Sequence, residues 1–275
     1  MKYNKFSFIR NLARKIGLIK LLTSGQRLRN KERETYYLNN KPKFAEFVSQ
    51  MGKFKIHVGD SYEWVRTQSF YDDLNILNHI TNNIKTGDCF WDVGTSIGLY
   101  SIYVAGFVGD AGLVESFEPE IRSRNRLNEN IAFNNLTNIK VNSFALSNQN
   151  GKLTMELSEK PSAGNHKILE DNETTNQEIQ VIDMFTGDYC ISNGLLRIPS
   201  VIKIDVEGHE ELVIDGCKEI IANSNCKKII CEIHFAILNK RNDSDAVNRI
   251  LNKLTVAGFN SIKWIDSSHL LAEKL

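Results

Sequence analysis

The chain lacks an excess of charge of either sign: its 275 residues carry 34 Lys and Arg against 33 Asp and Glu. That excludes a strongly basic nucleic-acid-binding chain, and 41% hydrophobic content excludes a disordered or collagen-like one. Cys-x-x-Cys spacing is also missing. The five cysteines (Cys89, Cys190, Cys217, Cys226 and Cys231) are odd in number and partly embedded in apolar runs. Thiols packed as small hydrophobes in a reducing compartment are expected, rather than a disulfide framework or a zinc site. No apolar run reaches the roughly 18 to 20 residues of a membrane-spanning helix, and no cleavable leader is expected. The expected location is therefore cytoplasmic. The length suits one large α/β domain or a domain with an appendage.

What is present is unevenly distributed. Residues 1–34 hold ten cations and two acids, which leaves about minus seven on the remainder. Ile9, Leu12, Ile16, Ile19 and Leu22 recur at helical spacing, so a basic amphipathic helix is predicted there. Such a helix docks its apolar stripe on the rest of the chain or lies peripherally on an anionic membrane face, the inner one for a cytoplasmic protein. Residues 1–80 are read as this extension plus a helical and hairpin lead-in, and residues 81–275 as the catalytic domain.

From Gly87 onward, strand and helix alternate. Strands are predicted at 89–93, 113–117, 139–144, 201–205 and 229–233, with two closing β segments near 262–265 and 270–272. Helices are predicted from Leu99, after Pro119, near His209 to Ala222 and near Ala246 to Ala257. Asn150 and Gly151 mark a hairpin turn between Leu146 and Leu153, and the polar segment 158–178 reads as a surface loop. This rhythm predicts a largely parallel sheet with right-handed crossovers and ligands at the C-terminal strand ends.

Asp92-Val-Gly94-Thr95-Ser-Ile-Gly98 stands where a strand turns into a helix, and glycines there admit a ligand close to the backbone. A dinucleotide fingerprint would begin with glycine where this chain has Asp92. An acid is awkward beside a pyrophosphate and sensible beside the cationic aminoacyl part of S-adenosylmethionine. Glu118 ends the next strand, in the position from which a carboxylate accepts both ribose hydroxyls. Pro119 follows it close to the nucleoside.

These segments, with Asn130 to Asn135, Ala145-Leu146-Ser-Asn and Lys203-Ile-Asp-Val-Glu-Gly-His-Glu210, resemble the FkbM family of S-adenosylmethionine-dependent methyltransferases from about Gly87 to Ile233. Thr95-Ser96 departs from the Ala-Asn more frequent in the family, but small polar residues remain. The resemblance implies a Rossmann-like class I methyltransferase fold, α/β with helices on both faces. Its mostly parallel seven-stranded sheet ends in an antiparallel strand. It also implies O-methylation of a sugar, glycan or natural product with S-adenosyl-L-methionine as cofactor. Carried over by position, Asp92, Gly94, Thr95, Gly98, Glu118 and Pro119 serve the cofactor, with Ala145 and Leu146 near its adenine.

A hydroxyl acceptor must also lose a proton. Asp205, Glu207 and His209 after the fourth strand, and His234 after the fifth, are the catalytic candidates. His209 is expected to titrate near neutrality, whereas Glu210 reads as part of a solvated first helical turn. Paired acids and a histidine also suit a metal, but no spacing demands one and none is assigned. Two rivals are a nicotinamide-dependent oxidoreductase, opposed by Asp92, and a non-catalytic Rossmann-like binding module, opposed by the intact loop, acid and acidic block. No nucleic-acid partner is expected.

Overall fold

The computed structural model describes residues 18–49, 52–70, 74–158, 167–169 and 175–275. In chain order the elements are α1 (Leu18–Asn40), β1 (Phe44–Ser49), β2 (Gly52–His57), α2 (Ser61–Ser69), α3 (Leu74–Thr81), β3 (Cys89–Val93), α4 (Leu99–Val108), β4 (Leu113–Phe117) and α5 (Ile121–Phe133). Next come β5 (Ile139–Asn142), β6 (Ala145–Leu146), β7 (Gly151–Glu156), β8 (Lys167–Leu169), β9 (Ile179–Phe185), α6 (Gly187–Ser192), β10 (Val201–Ile204), α7 (Glu210–Asp215) and α8 (Lys218–Ala222). The chain closes with β11 (Lys228–Glu232), α9 (Phe235–Lys240), α10 (Ala246–Val256), β12 (Ser261–Trp264) and β13 (His269–Glu273).

Seven strands form the central sheet in the order β12-β13-β11-β10-β3-β4-β5. The run β11-β10-β3-β4-β5 is parallel throughout, while β13 is antiparallel to both its neighbours. β3 and β10 are buried at every position, as a parallel strand covered on both faces requires. The chain winds outward from this pair in both directions, so the topological switch point lies between β3 and β10.

α4 has no polar face, and the lead-in explains why. Phe47, Phe54, Ile56, Phe70 and Leu77 pack with Ile97, Leu99 and Ile102 in one core; a helix apolar all round must be covered all round. The free edge of β2 is held by α5 side chains: Asn130 Oδ1 accepts the His57 N–H at 2.8 Å, and Asn134 Oδ1 accepts that of Lys55 at 2.8 Å. Of the predicted amphipathic stripe, Ile9, Leu12 and Ile16 lie outside the described residues, while Ile19 and Leu22 fall on α1. Among the described residues, no helix is long and apolar enough to cross a membrane.

Three local expectations are corrected. Asn150-Gly151 does not close a hairpin, because β9 lies between β6 and β7, in a separate sheet ordered β6-β9-β7-β8. The segment 158–178 contributes the strand β8 to that sheet, rather than being loop throughout. The helix expected from His209 to Ala222 breaks into α7 and α8 at Gly216, where any Cβ would stand 1.9 Å from the Ser147 carbonyl oxygen.

Candidate active site

The C-terminal ends of β3, β4, β10 and β11 open onto one cavity of about 410 Å³, a size suited to a cofactor-sized ligand. Gly94 begins its wall. With φ at +86°, a Cβ on Gly94 would stand 1.8 Å from the Asp205 carbonyl oxygen. Only glycine lets the β3 turn lie this close to the end of β10. Ser96, the next cavity-lining residue, donates its backbone N–H to Glu118 Oε2 at 2.7 Å, and the Glu120 N–H reaches Glu118 Oε1 at 2.9 Å. Burial nevertheless pushes the Glu118 carboxyl up to about 7, with Glu120 adding to the rise and Arg66 opposing it.

Nine of the predicted site residues line this cavity: Gly94, Glu118, Pro119, Ala145, Leu146, Asp205, Glu207, His209 and His234. Three others lie behind its wall. Asp92 is fully buried in β3, its Oδ2 accepting from Ser101 Oγ at 2.7 Å, with Lys203 Nζ 3.9 Å from Oδ1. Thr95 turns inward, its hydroxyl donating to the Asp92 carbonyl at 2.7 Å and accepting the Phe117 N–H at 3.1 Å. Gly98 precedes α4 at φ +96°, and a Cβ there would stand 2.4 Å from Leu127 Cδ1, so it serves helix packing.

Beyond Gly94, the acids and a histidine converge. Lys203 Nζ donates to Asp205 Oδ2 at 3.1 Å, and His234 Nε2 lies 3.6 Å from Asp205 Oδ1 and 3.4 Å from Glu207 Oε2. Burial alone would raise Asp205, but Lys203, Arg66 and His234 bring it down to about 2. Glu207 goes the other way: burial pushes it up to about 7. Burial opposes a charge on His234, yet its hydrogen bond to Glu210 and the charges of Glu207 and Asp205 raise it to about 9. His209 does not titrate near neutrality. Burial and Arg241 depress it to about 4, and its Nε2 already accepts from Arg241 Nη2 at 3.1 Å. Its lone pair is spent.

Glu210, expected in solvent, is buried. Its Oε1 meets His234 Nδ1 at 2.7 Å and accepts the Gly208 N–H at 2.8 Å. The separate sheet adds the apolar side chains of Leu153, Met155 and Ile182 beside Ala145 and Leu146, and α2 adds Arg66. Glu232 and His269 complete the far wall, with His269 held by Asp266 at 2.9 Å and by Glu232 at 3.4 Å. Glu232 falls in the strand predicted at 229–233 and His269 just before the closing segment predicted near 270–272. Nothing local in the sequence marked Arg66, which arrives from the lead-in.

The residues fit S-adenosylmethionine. The Ser96 hydroxyl is buried in the cavity wall with no hydrogen-bond partner among the described residues, Glu118 presents a carboxylate, and Gly94 leaves the space that a Cβ would fill. A Rossmann-like sheet in this strand order, with glycine turn and acid at adjoining strand ends, defines an S-adenosylmethionine-dependent class I methyltransferase. Residues 92–261 match the family model described as methyltransferase FkbM domain; the chain belongs to that family, which decides against both rival readings. It is 27% identical over 196 residues to the hexuronic acid methyltransferase AglP of Haloferax volcanii, covering 71% of this chain and 76% of that protein. Similar solved structures include Aeropyrum pernix fibrillarin with bound S-adenosyl-L-methionine (TM-score 0.42, 13% identity, 70% of this chain and 68% of that one). Another is SMU.1697c of Streptococcus mutans with SAH (TM-score 0.46, 9% identity, 73% and 96%).

Proposed function

We propose that this methyltransferase acts on a hydroxyl oxygen of a sugar or glycan. The observation that carries the reading is one cavity lined both by Glu118 and by the carboxylates of Asp205 and Glu207. The cofactor supplies a methyl carbon already activated by a sulfonium, so the protein's share is alignment and proton management.

Glu118 would accept hydrogen bonds from the ribose, the Ser96 hydroxyl would gain its missing partner, and Ala145 and Leu146 with Leu153, Met155 and Ile182 offer adenine an apolar slot. Arg66 suits the carboxylate of the cofactor's amino-acid part. Asp92 and Thr95 act from behind as positioning residues, fixing the turn that carries Gly94. In the same cavity, the Asp205 and Glu207 carboxylates would accept the hydrogen bond of an entering hydroxyl and draw on its proton. Such acceptors suit a neutral hydroxyl, which arrives with a proton to lose.

The sugar class is supported by the relative AglP, named for a hexuronic acid. Incubation with labelled cofactor and a panel of hexoses and hexuronates, followed by mild alkali, tests the atom. A methyl ether keeps its label and a methyl ester loses it, so label lost to saponification would overturn hydroxyl transfer. Absence of S-adenosylhomocysteine binding in calorimetry would overturn the site itself.

A further inference from the structure

We infer that Asp205, Glu207 and His234 form a binding site for one divalent metal ion at the acceptor end of the cavity. The inference rests on the cofactor and acceptor assignment above and adds a component that the reaction type does not require.

The spacing is the first argument. One donor atom from each of the three residues lies within 4.8 Å of the others, and His234 Nε2 stands 3.4 Å from Glu207 Oε2 and 3.6 Å from Asp205 Oδ1. Two ligands each about 2.1 Å from one ion, at angles of 90 to 110°, stand about 3.0 to 3.4 Å apart. His234 Nε2 therefore needs to close on each carboxylate by at most a few tenths of an ångström, with the Asp205 and Glu207 donors lying within 4.8 Å of each other.

The second argument is the far side of the imidazole. His234 Nδ1 meets the buried Glu210 carboxylate at 2.7 Å. A carboxylate on one ring nitrogen is the arrangement that fixes the tautomer and orientation of a ligating histidine, leaving Nε2 to bind. Glu210 is itself anchored by the Gly208 N–H, so the ring cannot swing away freely. Glu207 carries φ +52° without being glycine, a strained backbone that directs its side chain into the cavity.

Two carboxylates and one neutral imidazole match the charge and chemistry of a first-row dication such as Mn²⁺. An octahedral ion would keep about three positions for water or acceptor oxygens, and all three donor residues line the same cavity. Neighbouring hydroxyls on a sugar ring are the class of ligand that fills two of them. The competing occupant is a proton, with His234 held as imidazolium between the acids.

The test is titration of the chelator-stripped full chain with Mn²⁺, read as loss of the free-ion electron paramagnetic resonance signal, with and without S-adenosylhomocysteine. One ion per chain is expected. His234→Ala and Glu207→Gln abolish the binding, and Glu210→Gln weakens it about 10- to 100-fold. S-adenosylhomocysteine affinity, measured by calorimetry on the same preparations, stays within about twofold for Glu210→Gln and certifies the fold. A wild-type chain that binds S-adenosylhomocysteine but leaves Mn²⁺ free up to millimolar concentration overturns the metal site and leaves the methyltransferase assignment standing. Stoichiometric binding untouched by His234→Ala and Glu207→Gln overturns it equally. Failure to bind S-adenosylhomocysteine strikes at the cofactor site instead, while the resonance signal still decides the metal.

Discussion

Cofactor binding should release a proton from Glu118 in a pH-dependent way. Burial holds this carboxyl at about 7 in the free protein, against two backbone hydrogen bonds that favour the anion. Ribose hydroxyls donate to the ionised form, so the affinity for S-adenosylhomocysteine must fall as pH drops through 7 and level off above it. With that value, about 0.9 of the group is protonated at pH 6 and about 0.1 at pH 8, which weakens the dissociation constant about tenfold between the two. Calorimetry at pH 7 in buffers of different ionisation enthalpy should count about half a proton released per cofactor bound. Glu118→Gln keeps the shape and removes the titration; its affinity should be about 10- to 100-fold weaker than wild type at pH 8 and flat with pH, from loss of charge-assisted hydrogen bonds. A wild-type constant that varies less than twofold from pH 6 to 8, or a Glu118→Gln variant with the wild-type slope, would refute the assignment of Glu118 to the ribose.

Gly94→Ala combines a left-handed backbone with a Cβ 1.8 Å from the Asp205 carbonyl oxygen; it should destabilise the protein by at least about 2 kcal/mol and weaken cofactor binding at least about 10-fold, as read by denaturation and calorimetry. Asn130→Ala strips partners from the His57 N–H and from the Ile97 carbonyl, which accepts from Asn130 Nδ2 at 2.9 Å. A loss of about 2 to 4 kcal/mol in urea unfolding is expected, and a change under 1 kcal/mol would show that the lead-in is not held there. All five cysteines are buried free thiols, and burial pushes every one of them up: Cys190 to about 11, Cys89 and Cys226 to about 12, and Cys217 and Cys231 well above the ordinary thiol range. A thiol reagent such as Ellman's should therefore react with none in the native protein and with all five in guanidinium.

The central sheet was legible because its signal is local. β3, β4, β10 and β11 are short apolar runs, each ending in or next to a glycine or an acid, and the alternation with helices fixes the parallel arrangement. The second sheet was not, since β6 pairs in parallel with β9 across more than thirty residues, and Asn150-Gly151 looks the same whether its flanking strands pair with each other or with a third. In the site, Gly94 and Glu118 were readable from position at strand ends. The direction of Glu210 was not: its burial depends on where α7 starts and on His234 arriving from the neighbouring strand. Asp92, Thr95 and Gly98 belong to the right loop, but strand alternation and turn geometry send their side chains or their packing behind the cavity. Arg66 is invisible to any motif because α2 reaches the cavity through the packing of the lead-in on α4.

The contact between Gly94 and the Asp205 carbonyl welds the donor and acceptor halves of the site through main chain alone. Their separation is thus not a free variable: a shift at either strand end is transmitted to the other without a compliant side chain between them. Differences in what the cavity admits would then arise at the periphery, through groups such as His269, which lies outside residues 92–261. The reach across the cavity between the two strand ends is thereby held constant, whatever side chains occupy the rim.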